Sequence, residues 1–194
     1  MFSVLSIDVD YVFSPGIESY DDYVTGSRVP LLEELKYLQR LGYEPRISNE
    51  KILQLSKAMA KVSRDVPCHV ITHHHEILKY LPNQPFQIFN FDHHHDIFYD
   101  GWHDKNVLDE GNWVYNLNEN ENFKKYTWIR NEESEEAPKT GLNFVFEEVI
   151  MGENDVVMPE FSLITLCSSP HWTFDLGNII IERLLTDWND AEKI

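Results

Sequence analysis

The sequence predicts an α/β protein of three layers (α/β/α), in which helices cover both faces of a mainly parallel sheet. Two observations predict this fold class. Short apolar segments, typical of buried strands, alternate along the chain with amphipathic segments, typical of helices. The composition, 42% hydrophobic and 13% aromatic in 194 residues, is that of a globular domain with a sizeable core, so we expect residues 1–194 to form a single domain.

Apolar and β-branched runs predict the strands of this sheet. The four clearest candidates lie at residues 2–8, 66–72, 85–91 and 161–167. Weaker candidates, separated by polar loops, lie at residues 113–117, 126–130 and 143–150. Because the clear candidates are mainly apolar, we expect them to be buried on both faces, as the strands of a parallel sheet are.

Apolar side chains at helical spacing predict helices between the strands. Leucines form one stripe at residues 30–41, and Pro30 suits the first turn of a helix there. Three further helices are expected: one after Ser48 as its N-cap, a short one at roughly residues 75–81, and one at residues 173–188 with Thr173 as its N-cap. Residues 11–29, a mixture of Gly, Ser, Pro, Asp and Tyr, are expected to form a long loop.

The formal net charge of −17 limits the partners of the protein. Nucleic acid requires a basic surface, so we expect no nucleic-acid partner, whereas an acidic protein attracts metal ions and cationic substrates. Part of the acidity lies at residues 131–136, which are expected to form a solvated loop. The chain has no run of about 18–20 apolar residues and no basic, apolar signal at its start, so we expect a cytoplasmic protein without a membrane partner.

Side chains that bind metals follow three of the predicted strands. These strands run into Asp8-Val9-Asp10, Thr72-His73-His74-His75-Glu76 and Asp92-His93-His94-His95-Asp96. In a parallel sheet the carboxyl ends of the strands share one edge, where ligands bind. Alternate residues of an extended chain point to the same side, so Asp8 can face the same point as Asp10. For the same reason Asp92, His94 and Asp96 can face a common point.

The types of these side chains indicate which metal they would bind. A set rich in carboxylates, with few imidazoles, suits Mn²⁺ or Fe²⁺ better than a structural zinc ion, which prefers Cys and His. The three strand ends hold enough ligands for two ions, and two ions that share carboxylates lower the pKa of water, as hydrolysis requires. Each motif alone is more often a solvated loop, but three motifs at three strand ends favour a metal site.

The three motifs resemble those of the arginase–agmatinase (ureohydrolase) superfamily. In that superfamily a DxHxD strand end and a DxD strand end provide five metal ligands, and a histidine from another strand provides the sixth. Asp92-x-His94-x-Asp96 matches the first motif, Asp8-x-Asp10 matches the second, and His74 resembles the sixth ligand. Here the DxD motif opens the chain instead of following the DxHxD motif. The permuted order and the short chain resemble the small arginase-like family that includes the peptide arginases.

This resemblance implies two Mn²⁺ ions, although Fe²⁺ or Co²⁺ would fit the same ligands. It implies that Asp8 and Asp92 bridge the ions, that His74 and Asp96 complete one site, and that Asp10 and His94 complete the other. The run of three histidines leaves the register open, so His73 or His75 could take the place of His74. We expect His93 and His95 to pack or to hydrogen-bond behind the ligands.

The resemblance also implies an activity, because peptide arginases convert arginine side chains within a peptide to ornithine and release urea. The expected substrate is an arginine-containing peptide. Candidates for the remaining roles are His103 or His171 as a proton shuttle, and Glu76 or Asn112 as contacts of the substrate. Two alternatives stay open: an amide hydrolase of the same fold, similar to the deacetylases and with one zinc ion, and a metal-binding regulatory protein without activity.

Overall fold

The computed structural model describes most of the chain. The described residues are 1–14, 40, 46–98, 107–132, 134–138, 140–150, 157–173 and 175–190. The helix expected at residues 30–41 lies outside these residues except for Arg40, and of the loop expected at residues 11–29 only the first four residues are described.

The first half of the chain contains three strands of the main sheet, a small antiparallel ladder of two short strands, one long helix and two 3₁₀ helices. In chain order they are β1 (Phe2–Asp8), a 3₁₀ helix (Val9–Val12), β2 (Phe13–Ser14), β3 (Arg46–Ile47), α1 (Asn49–Ala60), β4 (Cys68–Ile71), a second 3₁₀ helix (His74–Lys79) and β5 (Phe86–Phe91). Ser48 is the N-cap of α1, as expected, because its hydroxyl accepts a hydrogen bond from the amide of Lys51 at 3.3 Å.

The second half adds three strands and three helices. In chain order they are α2 (Trp113–Asn116), a 3₁₀ turn (Leu117–Glu119), β6 (Phe123–Arg130), β7 (Val145–Ile150), β8 (Leu163–Cys167), α3 (Pro170–Thr173) and α4 (Leu176–Asp190). The strands expected at 126–130 and 143–150 are confirmed within β6 and β7.

Six strands form one parallel sheet in the order β4-β8-β1-β5-β6-β7. β5 and β8 are completely buried and β1 is buried beyond its first residue, whereas the edge strands β4 and β7 are partly exposed. This difference explains why β1, β5 and β8 are mainly apolar and readily predicted, since both of their faces are covered.

Helices cover both faces of this sheet. Leu55 of α1 and Ile180 of α4 lie in the apolar core on one face. Ile77 of the second 3₁₀ helix and Trp113 of α2 lie in the core on the other face. The α/β class with a parallel sheet flanked by helices is therefore confirmed, and this arrangement is compatible with the three layers expected. Among the described residues, none of the helices combines the length and the apolar character that a bilayer crossing requires.

The strand expected at residues 113–117 is wrong, because this segment forms α2 and the 3₁₀ turn. Trp113 and Leu117 are both buried, and their spacing of four residues is that of one helical face. The five-residue apolar run could not distinguish this spacing from that of a strand. The amide of Val114 donates to the carbonyl of Asp96 at 3.0 Å, which holds the helix beside the end of β5.

The sequence predicts Thr173 as the N-cap of the last helix, and this prediction is wrong. Thr173 is the last residue of α3, and its hydroxyl donates to the carbonyls of Ser168 at 2.6 Å and Ser169 at 3.0 Å. α4 begins at Leu176.

The solvated loop expected at 131–136 is also wrong in part, because Asn131 is only 1% exposed.

Gly177 lets α4 approach the turn after β8. A Cβ atom at this position would lie 2.1 Å from the carbonyl oxygen of Ser168 and 2.4 Å from the hydroxyl of Thr173. Replacing glycine by alanine within a helix normally stabilises it by roughly 0.5–1 kcal/mol. Overpacking against backbone costs about 1–3 kcal/mol, so the clash should outweigh the gain in helix propensity.

We expect Gly177→Ala to lower the free energy of unfolding by about 1–3 kcal/mol, measured by urea denaturation. Asn178→Ala is the matched control, because Asn178 is exposed on the same helix and its replacement raises helix propensity without a clash. Equal or greater stability of Gly177→Ala would contradict the close packing of α4 on this turn.

Candidate metal centre

The carboxyl ends of β1 and β5 lie side by side at the centre of the sheet. From β1 the chain continues to β4, on one side of the pair, whereas from β5 it continues to β6, on the other side. Connections that leave two neighbouring strands in opposite directions open a crevice at their carboxyl ends, where α/β proteins bind ligands. The DxD and DxHxD motifs both lie at this crevice.

Asp8, His74 and Asp92 form a first triad, in which one ligand atom of each residue lies within 4.8 Å of the others. Nδ1 of His74 lies 2.9 Å from Oδ2 of Asp92 and 3.4 Å from Oδ2 of Asp8. Oδ2 of Asp96 lies 2.7 Å from the same Nδ1 atom. All four side chains are buried, so this end of the site is closed to solvent.

Asp10, Asp92 and His94 form a second triad, again within 4.8 Å. Nδ1 of His94 lies 2.7 Å from Oδ2 of Asp10 and 4.0 Å from Oδ1 of Asp92. Asp92 therefore belongs to both triads and turns a different oxygen towards each histidine. This arrangement is that of a carboxylate able to bridge two ions.

Backbone amides and short side chains hold the carboxylates in place. The oxygens of Asp8 accept hydrogen bonds from the amide of Asp10 at 3.1 Å and from the hydroxyl of Ser169 at 2.6 Å. Those of Asp92 accept from the amide of His94 at 2.8 Å and from the side-chain amide of Asn90 at 2.9 Å. Each aspartate thus closes the first turn after its own strand, which fixes the direction of its carboxylate.

His74 is placed as a metal ligand would be. Its Nε2 atom lies 2.8 Å from the hydroxyl of Ser6, which accepts a hydrogen bond from Thr165 at 3.3 Å. With Nε2 engaged by Ser6, Nδ1 is the ring nitrogen that faces the carboxylates and that would coordinate a metal ion. Nδ1 is buried and has no hydrogen-bond partner of acceptable geometry, although three carboxylate oxygens surround it. A buried imidazole nitrogen with three carboxylate oxygens around it is a set of atoms that could coordinate a metal ion.

The electrostatics of the cluster favour a cation. Burial raises the pKa of Asp8, and the neighbouring carboxylates of Asp10 and Asp92 raise it further. The pKa of Asp92 is raised by burial and then by Asp96. Burial alone would lower the pKa of His74, but the carboxylates of Asp92 and Asp96 outweigh it, so this pKa lies well above its usual value.

Within the part of the chain that the structure describes, lysines and arginines form ion pairs with glutamates and not with these four aspartates. Among the described residues, the groups that can compensate the negative charge of the cluster are therefore the imidazoles of His74 and His94. Because its donors are mainly carboxylate oxygens, the site fits a hard or borderline divalent cation. The buried cluster can hold a metal ion.

The three histidines of the second motif occupy different places. Only His74 lies in the cluster. Nδ1 of His73 contacts Oε1 of Glu110 at 2.5 Å, and the ring of His75 is stacked on that of His73 at 5.9 Å between centroids. The structure therefore gives the register in which His74 faces the carboxylates.

His93 and His95 lie behind the ligands, in the arrangement expected. Burial, with His94 as a second cause, lowers the pKa of His93 to about 4 and that of His95 to about 3, so both rings are neutral at pH 7. Nδ1 of His95 accepts from the amide of Ile97 at 3.1 Å. The amide of His93 donates to Oδ1 of Asp10 at 3.2 Å, which joins the two motifs directly.

The residues predicted for substrate contacts are occupied by local structure. The carboxylate of Glu76 accepts from the amides of Thr72 and His73 at 3.0 and 3.2 Å, and Lys79, with these amides, lowers its pKa to about 2. Asn112 is fully buried, and its side chain accepts from the amide of Asp109 and donates to the carbonyl of Val107. Their substrate-binding roles stay predictions that these contacts do not favour.

The two residues predicted as proton shuttles are not placed by the structure. His103 lies outside the described residues. His171 belongs to α3, but its side chain is not among those described.

Several residues at the site were missed by the sequence analysis, among them Ser169, Trp113 and Asn131. Ser169 follows β8 and donates to Asp8, and Trp113 of α2 donates to Asp96. Asn131 follows β6, and its side-chain nitrogen contacts Nδ1 of His93 at 2.9 Å and the carbonyl of Tyr11 at 3.4 Å. A signal existed for Ser169 and Asn131, since each follows a strand of the sheet; Trp113 could not be found, because its segment was predicted to be a strand.

The fold and the site define an α/β protein with a candidate metal centre at the carboxyl edge of a parallel sheet. Comparison of the chain with models of protein families, with curated proteins and with solved structures gives no match. The resemblance to the ureohydrolases therefore rests on the motifs.

The sharing of Asp92 leads to a prediction about metal content. If each triad holds one ion, we expect Asp92→Ala to abolish binding of both, and His74→Ala and His94→Ala to abolish one each, measured by elemental analysis after dialysis against Mn²⁺. His69→Ala is the control, because the ring of His69 stacks on Tyr80 at 4.0 Å and takes no part in either triad. Full metal content in Asp92→Ala would contradict the site.

The same measurement on Asp8→Ala decides whether Asp8 bridges the two ions. Loss of both would agree with the bridging role that the resemblance implies. Loss of one would agree with its place in the first triad alone.

Proposed function

We propose that this chain is a metal-dependent hydrolase that uses two divalent ions, Mn²⁺ in the first place, and acts on the guanidinium group of arginine within a peptide. The products would be ornithine and urea. The observation that carries the proposal is the position of Asp92, which belongs to both triads: its Oδ2 atom faces His74 and its Oδ1 atom faces His94.

Two ions held by shared carboxylates supply a nucleophile at neutral pH, because they lower the pKa of water, and they stabilise negative charge that develops in the transition state. The protein supports this chemistry by holding its ligands rigidly. The hydroxyl of Ser6 orients His74, and the amide of His93 orients Asp10. Ligand orientation of this kind typically contributes a factor of about 10–100 to metal affinity or activity.

A cationic substrate suits the charge of this protein. The net charge of −17 attracts cations to the surface, and the four aspartates give the site the same sign. The guanidinium group of arginine stays charged at every relevant pH. Among cationic substrates, guanidino compounds are favoured because the ligand set of DxD, DxHxD and one histidine resembles that of the ureohydrolases. A peptide is favoured over free arginine because the permuted order resembles that of the peptide arginases.

A metal-binding protein without hydrolytic activity is the second candidate. The specific observation in its favour is that Glu76 and Asn112 are both committed to hydrogen bonds within their own turns. A hydrolase of guanidino compounds needs groups that hold the substrate in addition to the metal ligands.

Hydrolysis should be measured as release of urea from a peptide with one arginine, together with loss of CH₂N₂ from the peptide mass. We expect turnover by the Mn²⁺-loaded wild type, and a decrease in kcat of at least about 100-fold in Asp10→Asn, which keeps the shape of the side chain but removes its charge. His69→Ala is the matched control and should retain activity.

Three results would contradict this proposal. Metal binding without hydrolysis of any guanidino compound would favour the second candidate. Equal turnover of free arginine would contradict the peptide specificity. Deacylation of acyl-lysine peptides with one zinc ion per chain would favour a deacetylase-like hydrolase of the same fold.

A further inference from the structure

The indole of Trp113 is in direct contact with the ligand cluster. Its Nε1–H group donates a hydrogen bond to Oδ2 of Asp96 at 2.5 Å. The same oxygen lies 2.7 Å from Nδ1 of His74. The indole ring packs against the imidazole of His74 with 4.9 Å between centroids and an angle of 50° between their planes. Trp113 therefore contacts two members of the cluster, one by a hydrogen bond and one by its ring.

The backbone at Asp96 explains why such a contact is needed. Asp96 has φ = 52°, in the left-handed region, where a non-glycine residue must be held by its surroundings. The amide of Val114 donates to the carbonyl of Asp96 at 3.0 Å, and the indole of Trp113 donates to its carboxylate. Two consecutive residues of α2 thus hold both the backbone and the side chain of this aspartate.

We propose that Trp113 is a positioning residue of the metal centre, whose indole N–H turns the carboxylate of Asp96 towards the point that Nδ1 of His74 faces. This inference rests on the metal-binding part of the proposed function and not on the guanidino chemistry. It gives α2 a role at the site in addition to its role in the core.

A purely structural role for Trp113 is the alternative, because the side chain is completely buried in the core. The two roles can be separated, because packing depends on the ring and positioning depends on the N–H group. Trp113→Phe retains an aromatic ring and removes the donor. Trp188→Phe is the matched control: the Nε1–H group of Trp188 donates to the carbonyl of Val62 at 3.1 Å, in the core on the opposite face of the sheet.

We expect Trp113→Phe to bind Mn²⁺ about 10- to 100-fold more weakly in calorimetric titration, with loss confined to the first triad. Trp188→Phe should lose thermal stability but keep the Mn²⁺ affinity of the wild type. Equal affinity of Trp113→Phe and wild type would overturn the inference. Failure of the wild type to bind any divalent ion would instead refute the proposed function.

A double-mutant cycle tests whether Trp113 acts through Asp96. In the background of Asp96→Ala, Trp113→Phe should cause no further loss of Mn²⁺ affinity, because the carboxylate that it positions is gone. A further loss of the same size as in the wild-type background would show a structural effect and overturn the inference.

A measurement on the wild type remains decisive if Trp113→Phe does not fold. The chain has five tryptophans, and their indole N–H groups give separate signals in nuclear magnetic resonance spectra. Addition of Zn²⁺, which is diamagnetic and accepts carboxylate and imidazole ligands, should shift the indole signal of Trp113 and leave that of Trp188 unchanged. An unshifted Trp113 signal at saturating Zn²⁺ would overturn the inference.

Discussion

Four buried aspartates at one end of a sheet are the constraint on which the rest of this structure depends. A buried carboxylate without a compensating charge is costly, and here four of them meet two imidazoles but no lysine or arginine of the described residues. The cost is reduced by hydrogen bonds from amides, hydroxyls, an asparagine and an indole, each of which leaves oxygens facing a common centre. A bound cation would supply the missing charge. The cluster therefore has the charge and the burial of a site that can hold a metal ion.

The topology of the sheet makes this concentration of charge possible. β1 and β5 are neighbours, and β8 lies on the other side of β1, so three strands end at the same place. Each end turns sharply, and the turn supplies donors: the amide of Asp10 after β1, that of His94 after β5, and the hydroxyl of Ser169 after β8. Within the described residues, Asp96 and Ser169 are the non-glycine residues with positive φ. Both contact the first triad, which agrees with the tendency of backbone strain to occur at functional sites.

The sequence allowed the positions of the candidate metal ligands to be predicted for a physical reason. A strand buried on both faces is a continuous apolar run, and a charged residue at its end is conspicuous. Asp8 and Asp92 were therefore found. Their partners were expected from alternation along an extended chain, but Asp10 lies in a 3₁₀ helix and Asp96 has a left-handed φ, so turns and not strand alternation bring these side chains together. The residues that support them could not be found in this way. Trp113 is apolar and belongs to a run too short to show its period, and Thr173 looks like an N-cap although it closes the preceding turn. Such contacts depend on which loops meet in space, and no local pattern in the chain contains that information.

The two triads differ in exposure, and this difference bears on how a substrate would reach them. The side chain of His74 is 2% exposed and that of His94 is 19% exposed. The first triad is closed by α2, since Trp113 covers Asp96 and His74. The second lies beside the turn after β8, where the ring of Trp172 packs on His94 with 4.6 Å between centroids. A hydrolase built on this site must therefore admit its substrate from the side of His94. In such a hydrolase, groups that select the substrate would lie on that side, next to α3, because the polar atoms of Glu76 and Asn112 are used by their own turns.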